Sequence, residues 1–507
     1  MNSPKIMRLS AKDDVVVALE ELPAGTPLTP QGPQTRETIP AGHKAAVRDL
    51  AAGQPVRKYE QVIGLTKEPI PAGAWVHTHN LAMPPGRREE TAAGRAPETR
   101  LLPPQRRAGF QGFVRPDGRV GTRNYLGVIP TVNCAAGVAQ LIARSIPPEE
   151  LARHPNLDGV LALAHGTGCG MPFQGDGMLY LQRVVAGYAR HPNFAGVLVV
   201  GLGCEQNQWD SLCNATGLAA GDSVAFVEIQ GSGGSAKAVE RGRAILEQML
   251  ARADEARRRE VSADRLVVGL ECGGSDAFSG ITANPALGVA ADLLVEQGAT
   301  VILSETPEIY GAEHLLTRRA KSPEVAHKLM ALIRKWEDYA ERHGGSLDNN
   351  PTPGNKAGGI TTILEKSLGA VAKGGRSALN QVYGYAEPVD EPGLVFMDTP
   401  GYDPVSITGL AAGGANLVCF TTGRGSVFGG RPVPTLKLAS NRETYRRLEA
   451  DMDLDCGKVL EGVCDLEQMG REIFQRVLET ASGRPTKGEA LNLGEAEFVP
   501  WPVDMMV

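Results

Sequence analysis

The segment Leu266-Val267-Val268-Gly269-Leu270-Glu271-Cys272-Gly273-Gly274-Ser275-Asp276 passes from an unbroken apolar run straight into a thiol, two glycines and two polar side chains. A continuous rather than alternating apolar run suits a strand buried on both faces, as in a parallel sheet covered by helices. The same texture recurs at 125–129, 159–163, 196–200, 299–303, 393–397 and 417–420, with helical stretches at 137–144, 235–258 and 323–343 between. Pro323 opens the last of these, where a first helical turn tolerates proline. The pattern predicts two α/β lobes with mainly parallel sheets, assigned to 109–370 and 371–507.

Towards the N-terminus the texture changes. Residues 1–82 read as a small all-β unit that starts at Val15-Val16-Val17-Ala18-Leu19 and repeats one phrase four times. The phrase is an apolar residue followed by a turn ending in glycine: Leu22-Pro23-Ala24-Gly25, Ile39-Pro40-Ala41-Gly42, Leu50-Ala51-Ala52-Gly53 and Ile70-Pro71-Ala72-Gly73. Such punctuation marks strands entering tight reversals. Residues 83–108 are rich in Arg, Glu, Pro and Gly with few apolar side chains, and read as a polar linker.

The chain has 507 residues, a formal net charge of -6 and 22% charged residues, with acids and bases interspersed. No basic stripe invites nucleic acid. No apolar run approaches the ~20 residues that cross a bilayer, and Lys5, Arg8, Lys12, Asp13 and Asp14 stand where a signal peptide needs its apolar core. A cytoplasmic protein is expected, with no nucleic-acid or membrane partner. Eight cysteines in so long a chain are too sparse for a disulfide scaffold, which leaves free thiols for packing or for metal.

Four of these cysteines, Cys134, Cys169, Cys204 and Cys272, follow apolar runs directly, at the strand ends that line the crevice of an open α/β sheet. Each taken alone reads as a small buried hydrophobe, but four at one structural position point to a metal site, of iron, an iron–sulfur cluster or zinc. Cys213, Cys419, Cys456 and Cys464 lack this setting and read as structural. His165, four residues before Cys169, is the best placed histidine for a base. His77 and His79, one residue apart, would share one face of a strand as metal ligands.

Three glycine-rich polar stretches suit an anionic, hydroxyl-bearing ligand. Residues 272–285 offer Ser275, Asp276 and Asn284; residues 353–359 set Asn355 and Lys356 among glycines; residues 421–426 carry Arg424, whose fork suits a carboxylate. The spacing of a phosphate loop is absent from all three, so nucleotide cofactors are not indicated.

The runs GFVRPDGRVGTRNYLGVIPTVNC (112–134), GLGCE (201–205), GLECGGSDAFSGITANPALG (269–288), ETPEIYGAEHLL (305–316), NPTPGNKAGGITT (350–362) and FTTGRGS (420–426) resemble the altronate and galactarate dehydratase family. Residues 1–82 resemble its SAF domain, a β-clip fold. The resemblance implies a hydro-lyase that takes a sugar acid to a 2-keto-3-deoxy acid with Fe2+ or another divalent metal such as Mn2+. An iron–sulfur cluster is the alternative cofactor. The stretch His77-Thr78-His79-Asn80 is similar to the altronate branch, with galactarate as the alternative substrate. Sulfolactate sulfo-lyase, in which head and body are separate chains, and a noncatalytic sugar-acid-binding protein are the other readings. On this basis the metal would be held by Cys134, Cys169, Cys204 and Cys272 with His77 and His79. His165 would act as base, with Glu305 or Glu308 as alternatives, and Lys356 and Arg424 would hold the carboxylate. The partners expected are the small acid and further copies of the chain in a homo-oligomer.

Overall fold

A computed structural model describes residues 6–29, 31–86 and 94–503. The linker expected at 83–108 lies partly outside these residues. Its described end is laid along the body, where the Leu102 N–H donates to Glu296 O at 2.8 Å and Arg107 pairs with Asp264 at 2.6 Å.

The head is built from two small antiparallel sheets, of four and three strands. Its repeated phrases pair two by two: Leu22 bridges Ile39 and Leu50 bridges Ile70, and all four side chains are buried. The glycine closing each phrase has φ between 73° and 83°, the left-handed region where a Cβ is costly. Each turn therefore delivers an apolar side chain to the head core.

Beyond the linker the chain forms two parallel sheets. The first is four-stranded, in the order Gly159–Ala162, Tyr125–Pro130, Phe194–Gly201, Val224–Glu228. The second is seven-stranded, in the order Leu379–Tyr383, Gly393–Met397, Thr300–Leu303, Val267–Cys272, Leu417–Thr422, Thr435–Ala439, Leu454–Asp455. Every pair in it is parallel. Strands Gly393–Met397 and Leu417–Thr422 are buried throughout, as unbroken apolar runs require. A three-stranded antiparallel sheet of Arg258–Ser262, Gly109–Val114 and Val120–Gly121 lies outside both.

The break expected at 370/371 falls inside the seven-stranded sheet, whose strands come from both sides of it. The cause is a long excursion: after Thr300–Leu303 the chain runs through the helix Pro323–Arg342 and returns to the same sheet at Leu379. The lobes divide instead between the helix ending at Asp254 and the strand starting at Val267.

In the seven-stranded sheet the chain leaves Val267–Cys272 towards one edge and Leu417–Thr422 towards the other, although the two strands are neighbours. Their carboxyl ends therefore flank a topological switch point, the usual ligand crevice of an open α/β sheet. Among the described residues no helix is long and apolar enough to cross a membrane.

Candidate active site

Glu271 and Cys272 end the strand at the switch point, and Glu305 and Glu308 follow the neighbouring strand Thr300–Leu303. Glu305 has φ 67°, a strained conformation for a side chain of its size, and it is held there by the Thr399 hydroxyl on its N–H at 2.9 Å. In this pose its Oε2 accepts from the Cys272 N–H at 3.0 Å and from Lys373 Nζ at 2.6 Å. Glu308 accepts from the Cys272 thiol at 3.2 Å through Oε2, and from Lys366 at 2.6 Å and Asn350 at 2.8 Å through Oε1. Both lysines come from one stretch, the helix Ile363–Ala372 and its cap, seven residues apart on its inward side.

All of these groups are buried. Burial opposes ionisation, but Lys366 and Lys373 beside Glu308 keep that carboxyl below its ordinary value. Burial and the neighbouring Glu308 raise Glu305, although Lys373 opposes the rise. Glu271 is pushed well up by burial and by Glu305, and Ser406 donates to it at 2.7 Å. Asp403 stands where a Gly273 side chain would be, with Oδ2 2.5 Å from that Cβ position, so only glycine fits at 273. Burial and the two nearby glutamates lift its carboxyl to about 7. Burial pushes the Cys272 thiol well up.

The ligand atoms of Cys272, Glu305 and Glu308 lie within 4.8 Å of one another. Glu305 and Glu271 meet in the interior, where the proton that Glu271 retains joins the two carboxyls. Two carboxylates and a thiol suit Fe2+, Mn2+ or zinc, so the residues present fit a divalent metal.

A cavity of about 10 Å³, room for a single water molecule, lies beside Cys272 and Lys366, walled by Ser275, Asn284, Lys58 and Tyr59, so a sugar acid enters only as these walls part. Ser275 Oγ and Asn284 Oδ1 are buried there without partners. Asp276 lines the cavity but acts as an anchor: its carboxylate accepts from Ser279, Ser440 and Asn441 at 2.8–2.9 Å, tying the loop after Cys272 to the segment after Ala439.

Other residues expected at the site lie elsewhere. Cys134, in the first turn of the helix Asn133–Arg144, and Cys169 and Cys204, on loops, are exposed at the end of the four-stranded sheet, so Cys272 does not join them as the fourth ligand of one cluster. Those segments are cross-linked by Asn133 N–H to Thr167 O at 2.9 Å and by Asn207 Nδ2 to Thr131 O at 3.1 Å. His165 is buried at the same end. Its Nε2 donates to Pro130 O at 2.8 Å and its Nδ1 accepts from the Thr167 N–H at 3.3 Å, so the ring is neutral with both nitrogens engaged. Burial lowers it to about 4. This ring positions two loops and has no free lone pair for the base role expected of it.

His77 and His79 lie in a turn after the strand Trp75–Val76, closed by the Leu81 N–H on His77 O at 2.9 Å, and so do not share a strand face. Both rings contact Trp75, His77 stacked at 5.4 Å and His79 tilted at 5.3 Å. Residues 353–357 form a short helix rather than a loop; Asn355 caps it through Thr352 and donates to Ser275 O at 2.8 Å, while Lys356 is half-buried and lies off the cavity wall. Arg424 is exposed and lines a separate cleft with Arg447 and Glu461.

Sequence reasoning assigned no role to Lys366, Lys373, Glu271 or Asp403. The one signal for the lysines was their spacing, seven apart in the run 363–373, whose other polar residues are Glu365 and Ser367.

Three family profiles match the chain: Altronate/galactarate dehydratase SAF domain at residues 4–84, D-galactarate dehydratase/Altronate hydrolase, second domain at 112–254, and D-galactarate/Altronate dehydratase, C-terminal at 263–505. The last two meet where the two parallel sheets divide. The chain is 35% identical over 489 residues to the altronate dehydratase of Bacillus subtilis (strain 168), covering 94% of this chain and 95% of that one. It is 37% identical over 482 residues to the galactarate dehydratase (L-threo-forming) of Escherichia coli (strain K12), with coverage of 93% and 92%. The (2R)-sulfolactate sulfo-lyase subunit beta of Chromohalobacter salexigens is 34% identical over 396 residues, covering 77% of this chain and 96% of that subunit.

Proposed function

The chain belongs to the D-galactarate/altronate dehydratase family, and from that premise we propose that it is a hydro-lyase that converts a sugar acid to its 2-keto-3-deoxy acid at Cys272, Glu305 and Glu308. The observation that carries this reading is the buried group of one thiol and two carboxylates against two lysines, beside a cavity with unpartnered polar atoms. Cys272, Glu305 and Glu308 would hold Fe2+ or Mn2+. When bound, such an ion polarises the hydroxyl and carboxylate oxygens of the acid and competes with Lys366 and Lys373 for the two glutamates.

Loss of water needs a base at C2, stabilisation of the charge that gathers on the carboxylate, and a proton for the departing C3 hydroxyl. The carboxylate of Glu308 is the group assigned to the C2 proton, and Lys366, held as an ammonium by Glu308 and set on the cavity wall, stabilises the negative charge that follows. Lys373 supplies fixed positive charge. Asp403 holds the proton for the leaving hydroxyl. Ser275 Oγ and Asn284 Oδ1 bind substrate hydroxyls, which their lack of protein partners leaves them free to do.

The substrate proposed is a hexonate of the altronate type, on the strength of His77-Thr78-His79-Asn80. One chain carrying head and body together supports a sugar acid over sulfolactate. The test incubates the Fe2+- or Mn2+-loaded chain with altronate, galactarate, other aldonates and aldarates, and sulfolactate. Formation of 2-keto-3-deoxyhexonate is expected. Sulfite release from sulfolactate with no keto acid from any sugar acid would overturn the reading.

A further inference from the structure

The cavity beside Cys272 is closed by the head. The hairpin joining Pro55–Lys58 to Gln61–Thr66 turns through Tyr59 and Glu60, with φ of 58° and 63°. A tight reversal of this kind ordinarily calls for Asn and Gly, so two bulky side chains here store strain. What the strain secures is the placement of Lys58 and Tyr59 on the cavity wall, with Tyr59 Oη 2.8 Å from where a Gly280 Cβ would be.

Lys58 belongs to a buried triad. Lys44 Nζ donates to both Glu365 oxygens, at 2.9 and 3.0 Å, and to Gly359 O at 2.6 Å, which satisfies its three N–H groups. Lys58 Nζ donates to Glu365 Oε1 at 2.8 Å and lies 4.9 Å from the centre of the Tyr59 ring. Even with a second donor turned to the tyrosine hydroxyl, one N–H of Lys58 is left over. Burial lowers Lys44 to about 8, while Glu365 holds Lys58 charged against burial, so below about pH 8 two ammoniums face one carboxylate and one positive charge has no counter-charge in the triad, where solvent cannot reach it. Ser275 Oγ and Asn284 Oδ1, buried and unpartnered on the same wall, mark this water-sized cavity as a place for one small polar group of a ligand.

From this geometry we infer that Lys58, presented by the head, anchors a carboxylate of the substrate, and that Glu365 and Lys44 fix its position. The inference deepens the sugar-acid reading and rests on it. It also replaces Lys356 and Arg424 in the role first expected of them, and makes docking of the head a condition for a charged cavity.

The test titrates galactarate, altronate and the neutral alditol galactitol into the full-length chain and its Lys58→Met, Lys58→Gln and Lys58→Arg variants, with thermal midpoints measured alongside. The wild type should bind at least one acid ten-fold or more tighter than galactitol. Lys58→Met or Lys58→Gln, whichever stays folded, should lose that preference and raise the KM for the acid more than ten-fold with a smaller change in kcat. Lys58→Arg should restore most of the preference. An acid preference unchanged in a folded Met or Gln variant, with turnover of sugar acids intact in the wild type, would overturn the role of Lys58 alone. A wild type that neither binds nor turns over any sugar acid would overturn the underlying reading.

Discussion

The Cys272 thiol donates to Glu308 Oε2 at 3.2 Å, so the ends of two adjacent parallel strands meet through their side chains. The contact joins the most chemically versatile group of one strand end to a carboxylate kept ionised by Lys366. Changing either partner should therefore reach the chemistry before it reaches the fold. Cys272→Ser is expected to cut kcat by about 100-fold while shifting the thermal midpoint by only a few degrees, which steady-state kinetics and calorimetry on one preparation would check.

Lys373 and Glu305 form the most deeply buried pair of the site, with side chains 0% and 1% exposed. Removing one partner leaves a charge uncompensated in the interior. Lys373→Met should thus destabilise the chain by about 3–5 kcal/mol, and Lys373→Met with Glu305→Gln should recover part of the loss. A double-mutant cycle in denaturant reads the coupling directly.

Gly423 packs against the anchor residue: a Cβ there would sit 2.2 Å from Asp276 Cγ. The carboxylate cannot retreat, because Ser279, Ser440 and Asn441 hold it. Gly423→Ala is expected to cost about 2 kcal/mol or more and to lower the affinity for substrate. Gly414→Ala meets no atom within 4 Å and should cost only the strain of its φ of 115°.

His165 and His191 are buried as neutral rings, each lowered from 6.5 to about 4 by burial. His191 donates to Ala415 O at 2.8 Å and accepts from the Asn193 N–H at 3.1 Å, the same neutral pattern as His165. Between pH 6.5 and about 4 the unfolded chain binds more protons than the folded one, so stability rises with pH through this window and falls on acidification. Each ring contributes on the order of 3 kcal/mol across it. Urea unfolding at pH 7 and pH 4.5 should show the loss, and His191→Gln should flatten the slope.

Much of the architecture was legible because burial on both faces writes itself as continuous apolar runs. The strands at Val267–Cys272 and Gly393–Met397 and the four turns of the head stand where such patterns put them. The lobe boundary was not legible, since the excursion through Pro323–Arg342 returns to the sheet it left, and no local signal records a return. The site was half legible. Cys272 announces itself at a strand end, but its partners Glu308 and Lys366 are 36 and 94 residues further on and meet it only through the sheet. Cys134, Cys169 and Cys204 share its local context yet belong to another sheet. Strand ends that look alike in sequence need not share one crevice. The head's lysines carry no local signal at all: Lys44 and Lys58 lie in ordinary strands, and only docking on Glu365 buries them.

Loss of water from a sugar acid is assigned to Glu308, with Cys272 and Glu305. The most direct test is the turnover number of Glu308→Gln with the best substrate of the acid panel, measured after loading with Fe2+ and with the thermal midpoint confirmed. A fall of about 100-fold or more together with loss of bound metal is expected. A folded Glu308→Gln variant that forms keto acid at the wild-type rate would remove Glu308 from the reacting centre.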